Sequence, residues 1–380
     1  MNDLPYDPEA RSDTPLALKL KERIRRDGPI TIAEYMRTCL TDPEHGYYVK
    51  QQAIGATGDF VTAPEISQIF GELIGLWAVV VWKQMGSPER FNLVELGPGR
   101  GTMMTDALRA ARIAPGFMSA ANVHLIEANA TLIEHQRQSL SALSPHAQWH
   151  PGIAEALGSG GTIPPAPTII LANEFLDTAP IAQFAFKGGQ WWERAVGLNA
   201  EGQLNFTTLG DPDDVFSPTL GPLYTPQDGD IHERNSDLVF FAVSVLQSLE
   251  AEAPYAGLLI DYGHTRSDVG DTLQAVAQHR YVSPLYAPGE TDLTAHVDFE
   301  MLAGLMAMSG KSMTDGPVTQ AEFLGSLGIM ERASRLMSAN PQHAHAIELG
   351  VARLMAVPGM GNRFKAIGVR SAGLPPLPGF

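Results

Sequence analysis

Asn92-Leu93-Val94-Glu95-Leu96-Gly97-Pro98-Gly99-Arg100-Gly101-Thr102 is the stretch on which the rest of the chain turns. A short apolar run ends in an acid. Three glycines then alternate with other residues, and the segment after Thr102 has a helix-forming composition. This order predicts a strand, a tight turn and a helix start. Glycines at such a turn let the backbone lie directly against a ligand, with the first N–H groups of the helix facing it.

The same rhythm continues outward. Strands are expected over 92–96, 122–127, 148–150, 168–173 and 256–262, and helices over 102–112, 130–143 and 238–249. A hairpin is expected at 183–186 and 191–196 around Lys187-Gly188-Gly189. Strands alternating with helices imply an α/β fold with a mostly parallel sheet covered by helices. Upstream, residues 1–15 read as a loose arm and 16–90 as a helical N-terminal region packed on the core. Within that region, helices are expected at 16–26, at 31–40 with Thr31 and Glu34 at capping-box spacing, and at 64–85 as one long apolar rod. Residues 46–49 read as a short extended piece. The core spans 91–272, with a turn-rich excursion at 201–235. Residues 273–356 read as a helical insertion before the last strand, at 364–369, and residues 357–380 hold that strand and the C-terminal tail.

Composition narrows the function classes. The 380 residues are 44% hydrophobic and 18% charged, with a net charge of −16. A broad acidic field opposes nucleic-acid binding and suits a basic protein segment. The single cysteine, Cys39, excludes an intrachain disulfide or a cysteine zinc site and reads as a small core residue. The most apolar stretch, 73–82, is about half of what a bilayer span needs, so no membrane insertion is expected. Asp3, Asp7, Glu9 and Asp13 at the N-terminus argue against a secretory signal and a transit peptide, which makes the cytoplasm the expected compartment.

In open parallel sheets, ligands bind beyond the carboxyl ends of the strands. The polar residues and glycines expected there are Glu95, Gly97, Gly99 and Gly101, then Glu127, then Asn173, Glu174 and Asp177, then Asp261. Glu127, at the end of the second strand, can accept from both hydroxyls of a ribose. Glu95 can fix loop amides or pair with a cationic cofactor group. The glycine spacing is not the Gly-x-Gly-x-x-Gly usual for dinucleotides. Together with Glu127 it favours S-adenosylmethionine over NAD.

Seven ordered segments then support a resemblance: Gly28-Pro29-Ile30 with Tyr35-Met36; His45-Gly46-Tyr47-Tyr48; Gly58-Asp59-Phe60-Val61-Thr62-Ala63-Pro64-Glu65-Ile66-Ser67; Glu95 to Thr102; Asn173-Glu174-Phe175-Leu176-Asp177; Ile260-Asp261-Tyr262-Gly263-His264; and Asp292-Leu293-Thr294-Ala295-His296-Val297-Asp298-Phe299. Over about residues 28–370, the chain resembles the MidA family of class I S-adenosylmethionine-dependent methyltransferases, relatives of a mitochondrial complex I assembly protein that dimethylates an arginine. The resemblance implies a Rossmann-like sheet with a helical N-terminal extension and a helical substrate-side insertion. It implies S-adenosylmethionine held by the glycine loop and Glu127, with Asn173 nearby and Gly58 and Asp59 in a segment closing over it. It implies a protein substrate, such as a respiratory complex I subunit, and a mitochondrial matrix location in a eukaryotic member. Thr178-Ala179-Pro180 and Ser283-Pro284 depart mildly from the family's wording, on the substrate side.

An arginine acceptor needs carboxylates that orient its guanidinium and help a proton leave. Glu174, Asp177 and Asp261 are the expected catalytic residues. His296 with Asp298 reads as a proton acceptor or metal pair, or as a backbone-bonding histidine beside a helix cap. Two such ligands without a third make no metal site, and no metal is expected. His45 and His264 read as loop-fixing residues, Trp77 and Trp82 as core, and Trp191-Trp192 as sheet or interface. The expected activity is methylation of a protein arginine. The competing readings are a cofactor-binding assembly chaperone, an RNA or small-molecule methyltransferase, and an NAD-dependent oxidoreductase. The intact glycine loop favours a working site, the charge speaks against RNA, and the glycine spacing speaks against NAD.

Overall fold

Among the described residues, the central sheet of the computed structural model runs through β1 (Phe91–Leu96), β2 (Ala121–Ile126), β3 (Gln148–His150), β4 (Thr168–Asn173), β5 (Tyr255–His264), β6 (Ser312–Thr319) and β7 (Phe364–Ser371), and an eighth, two-residue strand, Val297–Asp298, pairs in parallel with the end of β5. The structure describes residues 7–49, 61–158, 160–210, 224–235, 241, 246, 249, 253–277, 280–308 and 310–380. The strand order is β3-β2-β1-β4-β5-β7-β6. The first five run parallel, while β7 lies antiparallel to both β5 and β6. Every residue of β1 and β4 is buried, as expected for interior parallel strands covered on both faces. The order reverses between β1 and β4, which places a crevice at the carboxyl ends of these two strands.

Each face of the sheet has its own apolar core. On one side, Leu93, Leu125, Leu171 and Ala366 pack against the helices Gln68–Gln84 and Thr102–Ala111. On the other, Val94, Ile170 and Ile367 pack against Phe299, Leu302 and Met306 of the helix Phe299–Met308. Helices Gln68–Gln84 and Thr102–Ala111 cross closely because Gly75 has no side chain. A Cβ there would stand 2.2 Å from the Ala107 carbonyl oxygen.

The expected rod over 64–85 is broken. Ala63–Ile66 forms a separate turn, Ser67 is extended (φ −155°), and its Oγ accepts the Ile69 N–H to start Gln68–Gln84. The expected extended piece at 46–49 is instead a 3-10 turn, Tyr47–Val49. Thr31 caps Ile32–Thr41 through the Glu34 N–H, but the Glu34 carboxylate pairs with Arg23 rather than closing the box. Part of the expected loose arm is tied down, because Ser12 N–H donates to the Tyr286 carbonyl at 2.6 Å and the Thr14 hydroxyl to that of Pro288 at 2.7 Å. The helix expected over 238–249 lies almost wholly outside the described residues.

The insertion is not only helical. It contributes β6 to the edge of the central sheet, and three strands, Gln274–Ala277, Arg280–Val282 and Asp292–Thr294, form a small sheet of their own. A further sheet, with Ile181–Lys187 and Gln190–Leu198 as its hairpin, also includes Leu204–Thr208 and Ile231–Asn235 from the expected excursion. Cys39 is buried with Tyr35 and Met36 beneath these sheets, Trp77 and Trp82 are buried in the main core, and Trp191 packs with Ala182 and Phe184 in the hairpin.

Candidate active site

A cavity of about 320 Å³ opens at the crevice beyond β1, β2 and β4. Among its described lining residues are five of those singled out in the sequence: Gly97, Gly99, Glu127, Glu174 and Asp177. They share one wall because each follows the carboxyl end of a parallel strand.

The glycine turn is built from left-handed backbone. Gly97, Gly99 and Gly101 have φ of +61°, +54° and +78°. At Gly97 a Cβ would also meet the Phe175 ring at 2.6 Å. Gly101 forms the N-terminal cap of Thr102–Ala111 and packs against Gln136, so it shapes the turn from outside the cavity. Gln136 was not foreseen. It is fully buried, donates to the Gly99 carbonyl at 2.7 Å and to Glu127 Oε2 at 3.3 Å, and accepts from Trp149 Nε1 at 2.7 Å. No sequence pattern marks a lone glutamine on the helix Ala130–Leu140.

Glu127 begins just past β2. Its Oε1 accepts the Asn129 N–H at 2.8 Å, which turns the carboxylate into the cavity, and burial raises its pKa. Glu95 lies beneath the turn and does not line the cavity. It is 2% exposed, its Oε2 has no hydrogen-bond partner, and burial, with the charge of Glu127 second, pushes its pKa up to about 8. Asn173 also stays behind the wall, donating to Glu174 Oε1 at 3.1 Å.

Glu174 adopts φ +52°, unusual for a side chain with a Cβ. Its N–H donates to the Ile260 carbonyl at 2.9 Å, and its Oε1 accepts the Ala63 N–H at 2.8 Å. Burial raises its pKa to about 7, against the favourable Ala63 contact. Asp177 is buried, and burial raises its pKa to about 6, opposed by hydrogen bonds from Tyr262 and from the backbone of Asp177 and Thr178.

Asp261, expected in the acceptor site, is somewhere else in function. It is fully buried, and its Oδ2 accepts the N–H groups of Phe175, Leu176 and Asp177 at 3.0, 2.8 and 3.2 Å. Its Oδ1 accepts the Tyr262 N–H at 2.9 Å. It clamps the loop that carries Glu174 and Asp177 and does not line the cavity. The sequence showed a carboxylate at a strand end but not that it faces backbone donors.

Several lining residues come from distant segments. Tyr48 donates to Asp292 Oδ1 at 2.8 Å, and its carbonyl accepts from Asn129 Nδ2 at 2.6 Å, which anchors the Tyr47–Val49 turn over the cavity. The Thr102 hydroxyl bonds to Glu65, which ties the Ala63–Ile66 turn to the helix behind the glycines. Gly58 and Asp59, expected to close over the cofactor, lie outside the described residues.

His296 and Asp298 are not part of this cavity. Asp298 Oδ1 accepts the Met301 N–H at 2.9 Å and so caps the helix Phe299–Met308, and it pairs with His264 at 3.7 Å. The His296 N–H donates to Thr272 Oγ1 at 2.9 Å. These are framework roles. Among the described residues no group of three or more His, Cys, Asp or Glu side chains could hold a metal ion.

The cavity suits S-adenosylmethionine. A nucleoside with an amino-acid arm needs an apolar slot for its base, an acceptor for its ribose hydroxyls and a backbone surface free of side chains. Ile126, Leu132, Ile153 and Phe175 supply the slot, Glu127 the acceptor, and Gly97 and Gly99 the surface.

Comparison with known proteins agrees. A family of S-adenosyl-L-methionine-dependent methyltransferases matches residues 73–318. The mitochondrial protein arginine methyltransferase NDUFAF7 of Homo sapiens is 34% identical, over 94% of this chain and 84% of its own length. The mitochondrial protein arginine methyltransferase NDUFAF7 homologue of Drosophila melanogaster is 32% identical, over 92% of this chain and 83% of its own. A solved structure from Burkholderia thailandensis, bound to S-adenosyl-homocysteine, superposes with a TM-score of 0.79 at 23% identity, covering 97% of each chain, and shows the same fold. The relatives' mitochondrial names overturn the expectation of a cytoplasmic location. No described helix is long and apolar enough to cross a membrane.

Proposed function

Because the chain belongs to this family of S-adenosyl-L-methionine-dependent methyltransferases, we propose that it methylates an arginine side chain of a protein partner. The relatives carrying that activity in their names support the reading. The observation that carries it here is the pair of carboxylates, Glu174 and Asp177, side by side on the cavity wall. No lysine or arginine is among the described lining residues, so a cation entering the cavity meets only opposite charge.

The cofactor supplies an activated methyl group on a sulfonium, and the chain supplies alignment. Gly97, Gly99 and Glu127 hold the cofactor, with Glu95, Gly101 and Asn173 supporting the turn and the wall from behind. Gly58 and Asp59 belong to the segment assigned to close over it. Glu174 and Asp177 orient the guanidinium, whose planar fork of donors matches a carboxylate. The nitrogen that gains the methyl sheds a proton, and the Asp177 carboxylate takes it. Asp261 acts through these two by fixing their loop.

The substrate side comprises residues 273–356, beside a core of 91–272. From the N-terminal region Thr41, Tyr48 and Thr62 line the cavity, and β7, within 357–380, closes the sheet beside β5. A respiratory complex I subunit is the partner class the sequence resemblance favours, and the chain's acidity, −16 overall, suits a basic segment of it.

The test is incubation with labelled S-adenosylmethionine and a cell extract, followed by mass spectrometry of labelled proteins. Label on arginine, lost in Glu174→Gln, supports the reading. S-adenosylhomocysteine binding without label on any protein would turn the assignment to an assembly chaperone.

A further inference from the structure

Within the polar run 292–298, His296 and Asp298 lie outside the active-site cavity, but Asp292 lines it together with Glu174 and Asp177. Asp292 opens the strand Asp292–Thr294 of the small insertion sheet, where it pairs with Val276, and it is buried. Two contacts fix where it stands. The Ala295 N–H donates to the Asp177 carbonyl at 2.9 Å, which ties this strand to the loop that carries the other two carboxylates. The Tyr48 phenol donates to Asp292 Oδ1 at 2.8 Å, and Tyr48 is itself held by Asn129 at its carbonyl and by the Tyr47 ring, edge to face at 5.2 Å between centroids. Burial raises the Tyr48 pKa, and the charges of Asp292 and then of Asp177 raise it further, because both carboxylates stand near the one phenol.

Glu174, Asp177 and Asp292 thus bring carboxylates from two distant segments to one cavity, and no lysine or arginine is among its described lining residues. A carboxylate offers about four lone-pair sites, so the bond from Tyr48 orients Asp292 without using up its capacity. A guanidinium carries N–H donors around a rigid planar fork, more than one bidentate carboxylate accepts, and the remaining donors need acceptors from another direction. An ammonium is a compact point charge that a single focus of acceptors satisfies. We propose that Asp292 is a further acceptor-site ligand, accepting guanidinium N–H groups that Glu174 and Asp177 leave over, and that it favours arginine over lysine. This rests on the arginine reading above and adds to it the residue through which the inserted region takes part in recognition.

Asp292→Asn keeps the shape of the side chain and an oxygen for the Tyr48 phenol, and removes the charge. The experiment is calorimetry on the full chain loaded with S-adenosylhomocysteine, titrated with Nα-acetyl-arginine amide and with Nα-acetyl-lysine amide. A separate titration with S-adenosylhomocysteine reports whether the site is intact. The wild type should bind the arginine compound more tightly than the lysine compound. Asp292→Asn should lose about tenfold in arginine affinity, less for lysine, and none for S-adenosylhomocysteine. Unchanged arginine affinity in Asp292→Asn, with the wild type binding it, would overturn the role of Asp292 and leave the arginine reading standing. A loss as large for lysine as for arginine would make Asp292 part of a general negative field and overturn its selectivity. A matching loss for S-adenosylhomocysteine would make it framework and overturn it as a ligand. A wild type that binds no arginine compound would overturn the arginine reading, and the role of Asp292 with it.

Discussion

Asp261 Oδ2 accepts the Leu176 N–H at 2.8 Å, across 85 residues of sequence, and shares that one oxygen with the amides on either side. Three successive N–H groups converging on one carboxylate oxygen form an anion nest, here filled by the protein itself. The loop that carries Glu174 and Asp177 thereby takes its shape from β5 rather than from its own residues.

Replacing Asp261 with Ala should therefore unfold this loop before it affects anything else. Up to four amides would lose their acceptor in a dry site, for a loss of about 3 kcal/mol or more. Denaturant unfolding measures the loss. Methyl transfer should fall much more than S-adenosylhomocysteine affinity, because the glycine turn and Glu127 hang from β1 and β2. Equal losses in both would mean that Asp261 supports the whole site.

Gly97→Ala meets two obstacles at one atom. The φ of +61° disfavours any Cβ, and the Phe175 ring lies 2.6 Å from where it would stand. The strain should cost about 1–2 kcal/mol of stability. Relief comes by pushing Phe175 into the cavity, so S-adenosylhomocysteine affinity should drop as well. A variant with normal affinity and a lowered melting temperature would show that Phe175 moves away from the cavity instead.

Residues near Gly97 were legible in the sequence because the signals were local. A strand ending in an acid, alternating glycines and a helix start are all read within a dozen positions, and Glu127 and Asp177 follow from strand ends by the same rule. The rest of the wall is assembled by the fold. Tyr48 meets Asp292 across 244 residues, and no pattern in either segment announces the other. The same holds for Gln136, whose partners are a carbonyl and an indole. Asp261 lies one residue past the last pairing of β5 with β4, beside the crevice as expected, yet faces backbone, because position along a strand does not say whether a carboxylate meets a ligand or a backbone. Ser67 broke the expected rod at 64–85 because a serine can cap a new helix where apolar periodicity alone runs on.

Gln136→Leu tests the strut behind the turn. The change keeps the bulk but leaves the Gly99 carbonyl and the Trp149 Nε1 without their partner, at about 1–3 kcal/mol in a fully buried setting. Glu127 also loses a donor, which should raise its pKa further. Calorimetry with S-adenosylhomocysteine should show weaker binding than wild type, and the gap should widen as pH falls, because Glu127 takes up its proton at a higher pH in the variant. Equal affinity across pH would exclude Gln136 from holding the cofactor loop.

Glu95 gives the molecule a pH dependence opposite to that of an ion-paired acid. Its folded pKa of about 8 stands far above the ordinary 4.5, because it is buried and then because Glu127 is near. Between those two values the folded chain holds a proton that the unfolded chain has released, so the free energy of unfolding falls as pH rises through this window. Glu174, with a folded pKa of about 7, adds a fall of the same sign that ends earlier. Glu95→Gln is neutral at every pH and removes the first contribution alone. Denaturant unfolding of the cofactor-free protein at about pH 5, 6.5 and 8 should then show a shallower decline in the variant, with the gap between the two proteins widening up to about pH 8. Parallel curves for the two proteins would mean that Glu95 ionises normally beneath the turn, and the cation it could meet there would have to be sought elsewhere.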